Sequence, residues 1–213
     1  MRQKKIQPMK LNIILSFALL VTTLSVFAQN TEGQYSLEGA YGIGQSGKPS
    51  LTGSHYNFGV RYMFDEYWGI KADFGHDKYR TDLTPETGVN YTRISLQAVE
   101  NLGRTLGVPD VTAGYINILA HGGIGYSHSK STVSINDDNM ANVIIGLTPQ
   151  IYLFKNLALQ FDASYVVNLS QHFDYDGYYR FKGAPKSFTG SQLNASVGLI
   201  LYLGKRESDF DWR

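Results

Sequence analysis

The feature that most constrains this chain is an alternation of apolar and polar residues, repeated about eight times between residues 35 and 203. Successive side chains of a β-strand point to opposite faces, so a period of two is typical of strands. In the last repeat the apolar positions are Leu193, Ala195, Val197, Leu199, Leu201 and Leu203. The positions between them are Gln192, Asn194, Ser196, Gly198, Ile200 and Tyr202. The pattern predicts an all-β chain with one oily face.

The repeats predict eight strands, at about 35–45, 56–64, 68–75, 91–102, 116–127, 142–153, 157–169 and 192–203. The predicted connections are longer after the first, third, fifth and seventh strands and shorter after the others, although the boundaries around 103–112 carry little signal. Pro149 lacks a backbone donor, so a bulge or local break is expected there. This rhythm is typical of an eight-stranded antiparallel up-and-down β-barrel.

The small residues on the polar face favour a membrane barrel over a secreted soluble barrel or sandwich, the alternative. Glycine weakens a solvated strand but suits the narrow interior of an eight-stranded barrel. The glycines of this face are Gly42, Gly44, Gly59, Gly69, Gly75, Gly123, Gly125, Gly146 and Gly198. A barrel with its apolar face outward requires a bilayer, and closure satisfies the backbone groups that lipid cannot. An outer-membrane location is therefore expected.

The first 28 residues are predicted to be a cleaved secretory signal. Four basic residues precede an apolar stretch over 11–27, and Val26 and Ala28 fit a signal-peptidase site. An uncleaved membrane anchor is the alternative. The predicted organisation is a signal peptide at 1–28, a barrel domain at 29–204 and a short periplasmic tail at 205–213. Cleavage leaves 15 basic and 18 acidic residues, a net charge of −3, so no nucleic-acid partner is expected.

The final strand is similar to the terminal signal by which outer-membrane barrels are recognised for insertion, through Ser196, Gly198, Leu201 and Leu203. Over 34–203 the chain resembles the eight-stranded N-terminal barrel domain of the outer membrane protein A family. The resemblance implies contact with outer-membrane lipids, insertion by the barrel-insertion machinery and both termini in the periplasm. The chain departs from that family after Leu203, where ten residues follow. Peptidoglycan binding is therefore not expected.

Ionisable residues also fall at predicted inward positions. They are Glu38, Arg61, Lys71, Asp73, Arg93, Glu100, His121 and Asp162. A buried charge is costly unless it has a partner, so these residues are predicted to form a salt-bridge network that plugs the lumen. The alternative is a narrow ion-conducting path lined by the same groups.

A lipid-modifying enzyme is a third possibility, suggested by His121 with Ser127 and His128. His121 and Ser127 are separated by about 20 Å at strand rise, so they cannot form a nucleophile–base pair directly. No catalytic residue is assigned, and the protein is not expected to be an enzyme. The histidines show no ligand spacing and the chain has no cysteine, so neither a metal nor a cofactor is expected.

The aromatic loop 170–187 is the best candidate for an unknown surface partner. Exposed tyrosine and arginine are good interface anchors, and this loop holds Tyr175, Tyr178, Tyr179 and Arg180. The alternative is an irregular solvated loop without a ligand. The sequence as a whole predicts a monomeric structural or surface-interaction barrel in the outer membrane.

Overall fold

The computed structural model describes residues 33–154, 156–181 and 186–203. They form a closed antiparallel barrel in which each strand pairs with the next and the first pairs with the last. The strands are β1 (Gln34–Ser46), β2 (Thr52–Met63), β3 (Trp68–Arg80), β4 (Gly88–Glu100), β5 (Ile116–Ser131), β6 (Asp137–Phe154), β7 (Leu157–Gln171) and β8 (Phe188–Leu203). The all-β, eight-stranded barrel prediction is confirmed. The predicted signal peptide and tail lie outside the described residues.

The polar face of every strand points into the barrel and the apolar face points out. Arg61 and Arg93 are almost fully buried, whereas Ile124 is 70% and Ile145 65% exposed. A soluble barrel would show the reverse, because its apolar residues would fill the centre. The apolar wall is thus the surface that faces lipid.

Two ends of the barrel must be distinguished. The terminal end is where β1 begins at Gln34 and β8 ends at Leu203; the far end is the opposite rim. At the far end several strands extend beyond their predicted limits, and the predicted loop 129–139 shortens to 132–136. Polar residues occupy both faces there, so the alternation ends while the backbone pairing continues.

The connection between β4 and β5 differs from the predicted rhythm. At 101–115 it is longer than 47–51, 81–87 and 132–136 at the far end, and it contains α1 (Leu102–Thr105) and α2 (Val108–Val111). Asn101 caps α1 by accepting a hydrogen bond from the Arg104 backbone N–H at 3.1 Å, as N-cap residues do. Neither of these described helices is long and apolar enough to span a bilayer.

Pro149 interrupts one ladder without shifting it. The pairing of β6 with β7 includes Leu147 opposite Ala163 and Gln150 opposite Gln160, and it skips the two positions between them. The register is the same on both sides, so the site is a local break and not a bulge. This matches the missing N–H donor of proline.

Candidate functional site

The middle of the lumen is crossed by an ion cluster centred on Glu38. Its Oε1 lies 3.0 Å from Arg61 Nη1 and its Oε2 lies 2.9 Å from Lys71 Nζ. Arg61 and Lys71 are direct neighbours on β2 and β3, so their two positive charges share one carboxylate. All three side chains are buried. The cluster therefore joins three strands through the lumen. Separating either buried cation from the carboxylate would cost free energy, so the contacts are expected to persist.

A second ion pair lies beside the first. Arg93 Nη2 donates to Asp73 Oδ1 at 2.9 Å, and both side chains are almost fully buried. Asp73 is the Cα partner of Gly59, which in turn faces Glu38. The two ion groups therefore occupy neighbouring positions on the inner wall.

The third charged group is built on His121 and Asp162. His121 Nε2 lies 3.0 Å from Asp162 Oδ2, and Nδ1 lies 2.6 Å from Gln97 Oε1. Thr148 donates to Asp162 Oδ2 at 2.8 Å, and Ser164 donates to the other oxygen. Both ring nitrogens and both carboxylate oxygens are thus occupied, which fixes the imidazole across the lumen.

Inward glycines make room for these large side chains. A methyl group at Gly146 would lie 2.5 Å from His121 Cε1, and one at Gly75 would lie 2.9 Å from Arg93 Nη2. At Gly59 it would lie 3.0 Å from Lys71 Cε. The small residues that the sequence places on this face therefore stand directly against the ionic ones.

Glu100 does not join the cluster, and its assignment to the lumen is wrong. Asp73, Arg93 and His121 point inward, but Glu100 is seven positions after Arg93 and so faces the other side of β4. Its Cα partners are Trp68 and Ala120. Trp68 is exposed on the outer wall, so Glu100 belongs to the outward surface at the terminal end.

Towards the far end a buried His55–Asp77 pair, with Nδ1 2.7 Å from Oδ1, lies beside a hydrogen-bonded group of neutral residues, which we call the neutral layer. The Tyr91 hydroxyl contacts Ser127 and donates to Asn168 Oδ1 at 2.6 Å. Asn142 Nδ2 donates to Ser127 at 2.6 Å, and Asn168 Nδ2 donates to the Tyr175 hydroxyl at 3.1 Å. This layer is not predictable from the sequence, because its members are ordinary inward polar residues.

Towards the terminal end apolar side chains pack among the polar ones in the lumen. Met63, Val99 and Leu119 form one buried cluster, and Ala158, Ile200 and Tyr202 form another. The Tyr202 hydroxyl donates to Gln150 Oε1 at 2.9 Å. Aliphatic residues at inward positions, such as Ile200, are the sequence feature that indicates this layer.

The loop between β7 and β8 folds back over the far-end mouth. Phe173 pairs with Tyr179 in a small antiparallel bridge, and the turn between them uses Gly177 at φ +91°, which favours glycine. Ser131 donates to the Gly177 carbonyl at 2.7 Å. His172 and Phe173 backbone N–H groups both donate to Asp138 Oδ2. Residues 172–181 of the loop therefore form an ordered cover and not an irregular solvated segment.

Tyr175 is buried in this cover, so its assignment as an exposed partner anchor is wrong. It is 1% exposed and packs edge-on against Tyr79 with ring centroids 5.0 Å apart. Burial raises the pKa of the Tyr175 phenol well above its ordinary value, so the group stays neutral. Tyr175 is therefore not exposed to meet a surface partner.

The other three loop candidates remain near the surface. Tyr178 and Tyr179 are exposed. Arg180 is partly buried, with Nε 2.9 Å from Asp174 Oδ1 and its guanidinium 3.5 Å above the Phe188 ring. The arginine therefore fastens the loop, and the two tyrosines are the side chains it presents.

The serine and histidines considered for catalysis do not meet. His121 binds Gln97 and Asp162, while Ser127 contacts Tyr91 and Asn142. His128 lies on the outer wall, with Nε2 3.5 Å from Asp137. Within the described ranges, no three His, Asp or Glu side chains are grouped so that they could hold a metal ion.

A closed eight-stranded barrel with ions inside and aliphatic side chains outside fits an outer-membrane protein. Residues 14–200 match the model of the outer membrane protein beta-barrel domain family. The chain belongs to this family. No curated protein matches it by sequence. The similarity of this chain to known proteins therefore lies in the family's sequence pattern and in the fold.

Several solved outer-membrane barrels share the fold of this family member. Neisserial surface protein A is 10% identical at a TM-score of 0.55, covering 80% of this chain and 97% of that one. OprG from Pseudomonas aeruginosa is 9% identical at 0.52, covering 84% and 99%. Ail of Yersinia pestis, in complex with the heparin analogue sucrose octasulfate, is 16% identical at 0.50, covering 81% and 100%. At these identities the likeness shows the fold alone.

Proposed function

We propose that this outer-membrane barrel is a structural and surface-interaction protein with a closed lumen, and neither a pore nor an enzyme. The observation that carries the proposal is the Glu38–Arg61–Lys71 cluster, which ties β1, β2 and β3 together through the middle of the lumen. Ions bound to one another in this way are held in place and offer a passing ion no free site.

Two further layers lie in series with this ionic layer. The apolar side chains Met63, Val99 and Leu119 pack together at the terminal end, and an ion would have to shed its water to pass them. At the far end Tyr175 packs against Tyr79 beneath the folded loop. Eight-stranded barrels leave only enough interior for side chains, which supports a filled lumen.

We further propose that the far end faces the cell exterior and the terminal end faces the periplasm. The far end carries an apolar surface that membrane contact does not explain, because it lies on the loops. Val133, Ile135, Tyr178 and Tyr179 are all exposed there, and Asn136 Nδ2 donates to the Tyr179 hydroxyl at 3.2 Å. Exposed apolar patches of this kind mark interaction sites. This patch is the proposed surface for a partner.

Planar-bilayer recording tests the closed lumen. We expect purified wild-type protein to give no defined channel, because three filled layers block the path. Lys71→Ala breaks the ion cluster, and Lys48→Ala removes an exposed loop cation as a matched control. A wild-type conductance whose ion selectivity changes in Lys71→Ala but not in Lys48→Ala would support the pore and overturn the plug.

Cysteine labelling tests the orientation, since the chain has no cysteine of its own. Ile135→Cys places a thiol on the fully exposed far-end loop, and Val111→Cys places one on the exposed connection at the terminal end. We expect a membrane-impermeant maleimide to label Ile135→Cys in intact cells and Val111→Cys only after the outer membrane is permeabilised. The opposite labelling would reverse the orientation.

A further inference from the structure

Charged side chains are rare on the outward face of the described strands, and their distribution is uneven. They are Lys78, Arg80, Glu100, Lys130 and Asp137. All three cations lie on β3 and β5 near the far end. On the opposite wall the outward residues near the far ends of β1 and β8 include the neutral Gln45 and Ser191. The outer wall therefore has one basic side.

Two of these cations have no partner among the residues that the structure describes. Asn90 of β4 is the Cα partner of Lys78 on one side and of Lys130 on the other, so the two lysine Cα atoms are about 10 Å apart. Both lysines are exposed, and neither ammonium bonds or pairs with any other residue described in the structure. Flexible lysine stems can bring both charges onto a single anion.

The residues around the lysines favour an anion between them. Arg80 Nη2 donates to Asn90 Oδ1 at 2.5 Å, which occupies the amide oxygen and leaves the amide N–H groups as donors. The nearest outward carboxylate belongs to Asp137, the Cα partner of Lys130 on β6; it forms no ion pair with Lys130 and lies 3.5 Å from His128 Nε2. The surface between Lys78 and Lys130 thus offers donors and positive charge.

The position of the two lysines relative to the apolar wall indicates which kind of anion they bind. Two positions nearer the membrane centre stand His76, Thr92 and His128, and two positions further stand the exposed apolar residues Phe74, Ile94 and Tyr126. The lysines are therefore just beyond the apolar wall, where lysine side chains reach lipid headgroups. A soluble anion could bind anywhere on the exposed surface and would not require a site at the edge of the apolar wall.

We propose that Lys78, Asn90 and Lys130 form a binding site for the phosphate of a membrane lipid headgroup. The acyl chains of that lipid lie along the apolar wall below Phe74 and Ile94, and the phosphate accepts from the two ammonium groups and the Asn90 amide. The site holds a lipid at one side of the barrel.

Native mass spectrometry of the full chain in a neutral detergent tests the site, with phosphatidic acid and phosphatidylcholine as probes. We expect one phosphatidic acid to bind in preference to phosphatidylcholine. Lys78→Gln/Lys130→Gln should weaken this binding by roughly 25-fold, because each lysine near an anionic surface contributes about 1 kcal/mol. Lys78→Arg/Lys130→Arg should retain it and show that the wall is intact.

The matched control is Lys48→Gln/Lys186→Gln, which removes two exposed loop lysines and should leave binding unchanged. Equal loss in the two glutamine pairs would mean that only total charge matters and would overturn the site. Equal binding of the two lipids would overturn it as well. Inorganic phosphate at the lipid concentration should not compete; if it displaces the lipid, the site recognises free phosphate and the lipid assignment is wrong.

Discussion

The ionic and neutral layers of the lumen are both buried and polar, yet they are held together differently. Around Glu38 each charge depends on another charge, since Arg61 and Lys71 share one carboxylate. The groups that Tyr91 and its partners hydrogen-bond to are neutral hydroxyls and amides. Removing a charge leaves its partner ionised in a dry interior, whereas removing a hydroxyl leaves at most an unpaired dipole. The two layers should therefore differ in their tolerance of substitution.

The largest expected effect follows from removing the shared carboxylate. Glu38→Gln removes the carboxylate that Arg61 and Lys71 share, and we expect a loss of about 3–5 kcal/mol in the free energy of unfolding. Urea unfolding of the barrel in lipid vesicles, followed by tryptophan fluorescence, measures it. Glu86→Gln is the control, because Glu86 is exposed and lies 3.6 Å from Arg80; its loss should stay below about 1 kcal/mol. Similar losses in both variants would show that the lumen charges are solvated.

An intermediate effect is expected where a glycine makes room for an ionic residue. Gly146→Ala places a methyl group 2.5 Å from the His121 ring and 2.8 Å from the Ala163 carbonyl oxygen. Overpacking of this kind costs about 1–3 kcal/mol. Gly39→Ala is the matched control on the outer wall, where an added methyl group meets nothing within 4 Å. If both variants unfold at the same urea concentration, the lumen near His121 is looser than the contacts indicate.

The smallest effect is expected in the neutral layer. Tyr91→Phe removes a hydroxyl that contacts Ser127 and Asn168, and we expect a loss of about 1 kcal/mol. Tyr126→Phe removes a hydroxyl that donates to Asn139 in an exposed position and should cost less. The same urea titration ranks the two. A loss in Tyr91→Phe as large as in Glu38→Gln would remove the distinction between the layers.

Much of the lumen could be predicted because strand alternation is a local property. Arg61, Lys71, Asp73, Arg93, His121 and Asp162 were placed inward from the sequence, and all six are buried there. The same rule, applied consistently, would have placed Glu100 outward, since it lies an odd number of positions after Arg93. The prediction for Glu100 was wrong because the positions along the strand were miscounted, and not because the alternation of faces fails there.

Other features depend on contacts between distant parts of the chain. Tyr175 is buried because the β7–β8 loop returns over the barrel mouth and brings it against Tyr79. The sequence of an aromatic loop does not indicate whether the loop turns inward. The extended far-end strands were also hidden, because polar residues on both faces erase the alternation while the ladder persists.

The sequence by itself determined the number of strands, the membrane as the solvent for the outer wall and most of the charges inside. Each of these follows from which side chains share a face, a property of neighbouring residues. Only the tertiary structure decided that Glu38 serves two cations, that Asp162 meets His121 and that Lys78 and Lys130 flank Asn90. Those pairings depend on how each strand is staggered against the next around a closed barrel, and stagger is set by all eight strands together.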